Sequence, residues 1–390
     1  MNTFLRSVVR RFSSLADKEP VNDGIPSLKI GVIGVPLSKG QTNEGVRKGP
    51  QVIRERGVLK ELNALGHNVR DYGDITYKFS HDQVQNTSNS SHVKNMKDLE
   101  DVAACNREVS KKVQEILAED SQVLVLGGDH SVCIGSADGL IQKYGDIGLI
   151  YVDAHADLNT ADTSPSGNVH GMTVALLVKE LYDYWPYLPG MDWQKPVLPV
   201  KKIAYIGLRS VDKYERVLLD KFSIPAYGMA EVEKYGIDKV TEMVLDQVDP
   251  KGNRALQVSF DIDSLDVLEA PSTGCSVCGG LTLREGIHIL EIVHQTGRMK
   301  VMDLVEVNPN IGSERDVKKT VDAALHLIKA AYGFSRLGNV PRHIKDIPTY
   351  NSFQPSMHCG FDTPQCGLTT SARVSTTSLC YDYPLYYPDN

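Results

Sequence analysis

No uninterrupted apolar run approaches the roughly 18 to 20 residues needed to cross a bilayer, so a membrane is not an expected partner. Cysteine is scarce, seven in 390 residues. That odd, small number excludes a disulfide-built fold and points to reduced thiols in an intracellular compartment. Cys275 and Cys278 form a lone C-x-x-C, but no second C-x-x-C or spaced histidine pair completes a zinc knuckle. A basic surplus is also lacking: the net charge is −7, which argues against nucleic acid as a partner. Internal repeats and an inter-domain linker are absent too. What remains is a chain with 41% hydrophobic and 23% charged residues, a globular balance. Its length suits one large α/β domain of roughly 300 residues with tails, or two ordinary domains.

The first residues, MNTFLRSVVRRFSSLA, carry Arg6, Arg10 and Arg11 and no acid, with Phe4, Val8, Phe12 and Leu15 on one helical face. This is the pattern of a mitochondrial transit peptide; the plainer alternative is a frayed basic terminus on a cytoplasmic enzyme. A leader over 1–24 and a mitochondrial matrix location are therefore expected, with the cytoplasm as the alternative. Apolar runs predict strands over 28–35, 122–127, 147–152, 202–207, 255–260 and 300–305. Amphipathic patterns predict helices over 50–65, 96–119, 240–247, 284–295 and 317–332. Residues 80–95, rich in Asn and Ser, read as a surface loop. Strand–helix alternation at this spacing calls for a parallel sheet covered on both faces. From Pro341 onward the pattern collapses, leaving a catalytic domain over 25–340 and an extended or disordered tail over 341–390.

Four of the strands end in acid or imidazole. VLVLGGDHS delivers His130, LIYVDAHADLN delivers Asp153, His155 and Asp157, LQVSFDIDSLD delivers Asp261 and Asp263, and VMDLVEVNP delivers Glu306. In an open parallel sheet, ligands bind beyond the carboxyl ends of the strands, so these distant residues should meet at one edge. Taken singly, each piece has a bland reading: GGDHS is a turn capped by Asp129, and D-I-D a solvated strand end. Taken together, buried carboxylates of one sign resist desolvation unless a cation neutralises them. Four aspartates and two histidines without a plausible thiolate suit Mn²⁺ better than structural zinc, with zinc, iron and cobalt left open. Six ligands exceed what one ion with an open position needs, whereas bridging carboxylates serve two. Two ions about 3.5–4 Å apart can share a water, deprotonate it near neutral pH and aim it at an electrophile.

The successive segments GGDHS, DAHADLN, SGNVHG, GLRSVD, SFDIDSLD and EVNP resemble, in order, the motifs of the ureohydrolase family and of the arginases within it, over roughly 28–338. The resemblance implies a three-layer α/β/α fold, arginase/deacetylase-like, with a mostly parallel sheet of about eight strands. It implies hydrolysis of L-arginine to L-ornithine and urea by attack of a hydroxide bridging two Mn²⁺ per subunit. His130, Asp153, Asp157 and Asp261 would hold one ion, and Asp153, His155, Asp261 and Asp263 the other. Glu306 would pair with the substrate guanidinium, whose planar fork suits a carboxylate. His170 would shuttle protons, and Asp157 would protonate the leaving amine. Asn159, Ser166 and Asn168 match positions that bind an α-carboxylate, and Asp212, helped by Glu215, the position that faces an α-amino group. That set favours arginine over agmatine.

Arginases are typically trimers. Arg336 matches a basic residue that crosses to a neighbour, and Arg284 with Glu285 matches a pair at the same interface, so a homotrimer is expected; Leu337 replaces the usual acid beside Arg336. Other departures are Cys275 where arginases usually have threonine, Val267 in place of a proline, and Asn43 and Glu44 in place of Arg and Gly. The rival readings are an agmatinase or other guanidino ureohydrolase, a single-zinc deacetylase, and an inactive scaffold that has kept the fold.

Overall fold

A computed structural model describes residues 27–78 and 95–338. The expected leader over 1–24, nearly all of the 80–95 loop and the tail over 341–390 lie outside the described residues. In chain order the elements are β1 (Lys29–Val35), α1 (Gly49–Glu55), α2 (Val58–Ala64), β2 (Asn68–Asp74), α3 (Leu99–Ala118), β3 (Gln122–Gly127), α4 (Cys133–Tyr144), β4 (Ile147–Val152) and α5 (Thr173–Leu177). There follow β5 (Ile203–Leu208), α6 (Lys213–Phe222), β6 (Ala226–Gly228), α7 (Met229–Tyr235), α8 (Ile237–Val248), β7 (Ala255–Asp261), α9 (Leu283–Gln295), β8 (Met299–Val305) and α10 (Glu314–Ala331). Among the described residues no helix is long and apolar enough to cross a membrane.

The eight strands form one sheet in the order β2-β1-β3-β8-β7-β4-β5-β6, and every pairing is parallel. The expected "mostly" parallel sheet is thus wholly parallel among the described strands. Inner strands such as LIYV in β4 are apolar throughout because both faces are covered. Alternation sorts their side chains. Leu124, Leu126, Ile150 and Val152 pack with α1, α2, α8, α9 and α10 on one face, whereas Val123, Val125, Leu149 and Tyr151 pack with α3, α4 and α6 on the other. On α10, Val321, Ala324, Leu327 and Ile328 are buried at helical spacing behind a Ser313–Asp316 capping box. Each fully buried aliphatic side chain of this kind contributes about 1.5–3 kcal/mol.

One sequence expectation needs correction, and two strands left no signal in the sequence. The single helix over 50–65 is two, α1 and α2, because Gly57 adopts φ 96° between them, a conformation that ends a right-handed helix. β2 reads NVRDYGD and shows no apolar run because it is an edge strand, paired only with β1 and largely exposed. β6 has three residues, too short for a periodic signal. The four strands that end in acid or imidazole, β3, β8, β7 and β4, are neighbours at the centre of the sheet. Since all run the same way, their carboxyl ends share one rim.

Candidate metal centre

Each strand hands its side chain to the rim through a specific turn. After β3, Asp129 caps a short 3-10 turn, accepting from Ser131 N at 3.1 Å, and also takes Gly40 N at 2.8 Å. The bland reading of Asp129 is therefore right, and the turn it caps presents His130. Burial and the charge of Glu306 push the Asp129 carboxyl up to about 6 despite those hydrogen bonds. Gly128 lies so close to the 37 carbonyl that an added Cβ would stand 1.9 Å from Leu37 O. After β4 the chain turns sharply: Asp153 Oδ1 accepts from His155 N at 2.7 Å, and Asp157 sits at φ 50°. Tyr151 Oη donates to Asp157 Oδ2 at 2.6 Å. After β7, Asp261 caps a second 3-10 turn by accepting from Asp263 N at 2.8 Å. After β8, Glu306 is held at φ 64°. Two non-glycine residues in this strained region at one rim mark it as built for position.

The six expected ligands converge. His130 Nδ1 lies 2.9 Å from Asp153 Oδ2, 3.1 Å from Asp261 Oδ2 and 3.5 Å from Asp157 Oδ2. His155 Nδ1 lies 3.2 Å from Asp263 Oδ2 and 3.4 Å from Asp153 Oδ1. The two groups share Asp153, which turns one oxygen to each imidazole. Asp261 sides with His130, its other oxygen being taken by Asp263 N. His130 Nδ1 is buried, yet forms no well-directed hydrogen bond with any of the three carboxylates around it. A lone-pair nitrogen and clustered carboxylate oxygens, with no sulfur among them, suit a hard divalent cation such as Mn²⁺.

The electrostatics say the same. Burial and the charge of Asp153 push Asp157 up to about 7. Burial, then neighbouring aspartates, raise Asp261 and Asp263. Asp153 goes the other way: burial opposes ionisation, but the nearness of His130 and His155 outweighs it. Burial likewise opposes charge on both histidines, and their carboxylate neighbours outweigh it and raise them. Without another cation, the cluster must retain protons to exist.

A cavity of about 170 Å³ opens onto this rim, lined by Asp153, His155, Asp157, Asp261, Asp263 and Glu306. Its volume admits a molecule of amino-acid size. His170 also lines it, with Nδ1 3.0 Å from Glu306 Oε1. Burial disfavours the charged imidazole, but the Glu306 contact prevails and lifts it to about 9. Asn159, Ser166 and Asp212 reach the cavity, and Asn159 Nδ2 donates to Asp212 Oδ2 at 3.0 Å. Glu215 lines the cavity as well. Its oxygens accept from Leu158 N at 3.0 Å and Asp212 N at 2.8 Å, so it fixes the backbone that carries Asn159 and Asp212. Asn168 is not among the lining residues, and its Oδ1 accepts from Lys97 Nζ at 3.4 Å. Cys275 lines the cavity, and burial with the charge of Glu306 pushes its thiol up to about 12.

Sequence reasoning passed over Tyr151, Arg209, Ser259 and Asp303. Arg209 sends six hydrogen bonds to backbone carbonyls, among them Asp263 O at 2.7 Å and Val277 O at 2.7 Å. Gln257, Ser259 and Asp303 were visible as polar letters inside the apolar runs LQVSF and VMDLV, and all three are fully buried. Such residues signal a partner hidden in the core.

The Arginase family model matches residues 28–333. Arginase-1 of Oryctolagus cuniculus is 42% identical over 314 residues, covering 80% of this chain and 95% of the relative. The mitochondrial arginase-2 of Homo sapiens is 40% identical over 327 residues, covering 83% and 90%. Among solved structures, the arginase from Bacillus caldovelox aligns with a TM-score of 0.71 at 32% identity, covering 79% of this chain and 99% of that one.

Proposed function

The chain belongs to the arginase family and hydrolyses L-arginine to L-ornithine and urea; we propose that it does so at two manganese ions held by His130, Asp153, His155, Asp157, Asp261 and Asp263. The observation that carries this reading is the pair of imidazole Nδ1 atoms, each faced by carboxylates, with Asp153 common to both groups. A single-zinc deacetylase would leave His130 and Asp263 without purpose, and here each belongs to one of the two groups. None of the six ligands an inactive scaffold would have lost is missing.

Bound there, the two cations supply a water made nucleophilic near neutral pH and Lewis-acid stabilisation of the tetrahedral carbon's oxygen. The protein's own groups do the rest. Glu306, fixed at φ 64°, presents its carboxylate to the guanidinium, which can engage it through two parallel N–H groups. In the free protein that carboxylate holds His170, 3.0 Å away. A guanidinium arriving at Glu306 competes for the same oxygen, leaving a protonated His170 Nδ1 at the cavity wall to give its proton to the departing amine and regain one from solvent. Asp157, 3.5 Å from His130 Nδ1 at the same rim, is the second group that would pass a proton to that amine. Asp212 faces the α-ammonium, while Asn159 and Ser166 offer neutral polar groups to the α-carboxylate.

We place the protein in the mitochondrial matrix on the strength of the basic, acid-free start of the sequence; a reporter fused to 1–24 that stays in the cytoplasm would overturn this. A homotrimer contacting through Arg284, Glu285 and Arg336 is proposed from the family likeness. Within one chain Arg336 already pairs with Glu291 at 2.6 Å, and Glu285 closes a capping box with Thr282. These contacts pre-set the face, and sedimentation of a monomer would reject the trimer.

The enzymatic test is urea release from L-arginine and from agmatine, with and without added Mn²⁺. Manganese-dependent urea from arginine, with agmatine slower by about 100-fold or more because the groups meant for the α-carboxylate go unpaired, supports the reading. No urea from arginine in manganese overturns it.

A further inference from the structure

Three consecutive residues, Asn95, Met96 and Lys97, grip the loop that runs from Asn159 to Gly171. The Asn95 side-chain amide donates to that loop twice, Nδ2 lying 2.8 Å from Ala161 O and 2.7 Å from Ser164 O. Met96 is buried in one apolar cluster with Ala161 and Val169. Lys97 N donates to Gly167 O at 2.9 Å, and its Nζ to Asn168 Oδ1 at 3.4 Å. The approach is close: a Cβ added to Gly167 would stand 2.8 Å from Asn95 Oδ1. Asn95 itself sits at φ 64°, a left-handed conformation that asparagine tolerates better than most residues.

The ends of the gripped loop are pinned, since Asn159 N donates to Gly171 O at 3.1 Å and His170 N to Gly40 O at 3.0 Å. Its middle is not. Between Ala161 and Val169 the only apolar side chain is Pro165, and Pro165 and Ser166 are exposed. The bonds within it are local: Ser164 N to Thr160 O at 2.9 Å, Gly167 N to Ser164 Oγ at 3.0 Å and Asn168 N to Ser166 Oγ at 3.2 Å. Such turns give the loop a shape but do not set its place over the cavity. Asn95 takes hold of the two carbonyls that bracket the turn 161–164, directly before Pro165 and Ser166. Ser164, Pro165 and Ser166 all line the cavity.

We propose that Asn95 is a positioning residue for the far end of the substrate: by holding Ala161 O and Ser164 O it keeps Ser166 where the α-carboxylate arrives. It thereby contributes to the choice of arginine over agmatine. The guanidinium end is independent of this clamp, because Glu306 and the six cation ligands are carried by the ends of β3, β4, β7 and β8. Loss of the clamp should loosen the grip on the carboxylate and leave the chemistry intact.

This proposal rests on the reading of Ser166 as a partner of the α-carboxylate, and the test separates the two. Asn95→Asp keeps the size and the left-handed tendency but removes both donors. Asn95→Gly keeps the backbone conformation and removes the side chain without setting a new charge against the carbonyls. Steady-state urea release from L-arginine and from agmatine is measured for the manganese-loaded wild type and both variants. Each variant should raise KM for arginine by about tenfold with kcat nearly unchanged, and leave kcat/KM for agmatine as in wild type. Inhibition by L-ornithine should weaken by the same factor, whereas inhibition by 1,4-diaminobutane, which lacks the carboxylate, should not. Equal losses on both substrates would make Asn95 a prop of the whole site, and an unchanged preference would show that the loop keeps its place without it; either result overturns the proposal. A wild-type protein that does not prefer arginine would sink the α-carboxylate reading itself, and the proposal with it. If Asn95→Asp fails to fold, Asn95→Gly decides the matter alone by the same criteria.

Discussion

Replacing Arg209 with lysine keeps the charge and removes the fork, which isolates what the guanidinium geometry contributes. Nη2 donates to Asp263 O at 2.7 Å, Val277 O at 2.7 Å and Leu265 O at 3.1 Å. Nη1 reaches Ser264 O at 3.1 Å and Gly207 O at 3.3 Å, and Nε reaches Val277 O at 3.1 Å. One residue thus ties the turn that carries Asp263 to the loop that carries Cys275 and to the end of β5. An ammonium has three donors on a single atom and cannot span both the turn and the loop. Hydrogen bonds from a charged donor are worth about 1.5–3 kcal/mol each when lost from a buried acceptor. Ser264 O keeps Leu281 N and Val277 is half-exposed to water, so the losses concentrate on the Asp263 and Leu265 carbonyls. The expected cost is about 2–4 kcal/mol in unfolding free energy, read by denaturant titration at constant m-value. Because the Asp263 backbone loses its anchor, the ion beside His155 should weaken by about tenfold or more, and the ion beside His130 should not. Arg209→Lys with native stability and both affinities intact would show that the fork does not position Asp263, and the reasoning would fail.

Manganese binding should release protons, since Asp157 is lifted to about 7 and both ligand histidines are raised in the metal-free cluster; affinity must therefore fall as pH drops below about 7. Calorimetry in buffers of differing ionisation enthalpy measures the release, and a pH-independent affinity contradicts it. His170→Asn should lower kcat by about 10²–10⁴-fold with a smaller change in KM. The same substitution should alter the pH dependence of stability in metal-free protein. His170 is raised to about 9 when folded from an ordinary value near 6.5. Its pairing with Glu306 is therefore fully stabilising below about pH 6.5 and lost as pH rises through about 9. A wild-type-minus-variant stability difference that grows toward pH 9 would have the wrong sign. Gly128→Ala should cost about 3 kcal/mol or more, because the new Cβ meets Leu37 O at 1.9 Å. It should also disturb the active site, since Gly128 O accepts from Glu306 N; a variant with native melting and native kcat would show that the backbone yields freely there.

The sequence disclosed the strands that carry function more readily than those that do not. Burial on both faces writes β3, β4, β7 and β8 as apolar runs, and the same burial makes an acid at the end of such a run conspicuous. At the sheet edge the signal vanishes: β2 scatters Val69 and Tyr72 among polar residues because water covers it, and β6 is brief. Gly57 divided a helix that periodicity alone made continuous. Within the site, ligands announced themselves by type and spacing, but their supports did not. That Ser259 meets Asp303, or Tyr151 meets Ser259, depends on strand order and register, which no local pattern encodes. Glu215 was legible as a helper of Asp212 beside the substrate, but that its oxygens also accept from the Leu158 and Asp212 N–H groups is seen only at the cap of α6.

Anomalous diffraction from manganese-soaked crystals puts the central claim to its most direct trial. Two peaks are expected, one bound to His130 Nδ1 and one to His155 Nδ1, with a carboxylate oxygen of Asp153 on each. A single peak, or two that do not share Asp153, would contradict the dinuclear centre and the chemistry derived from it.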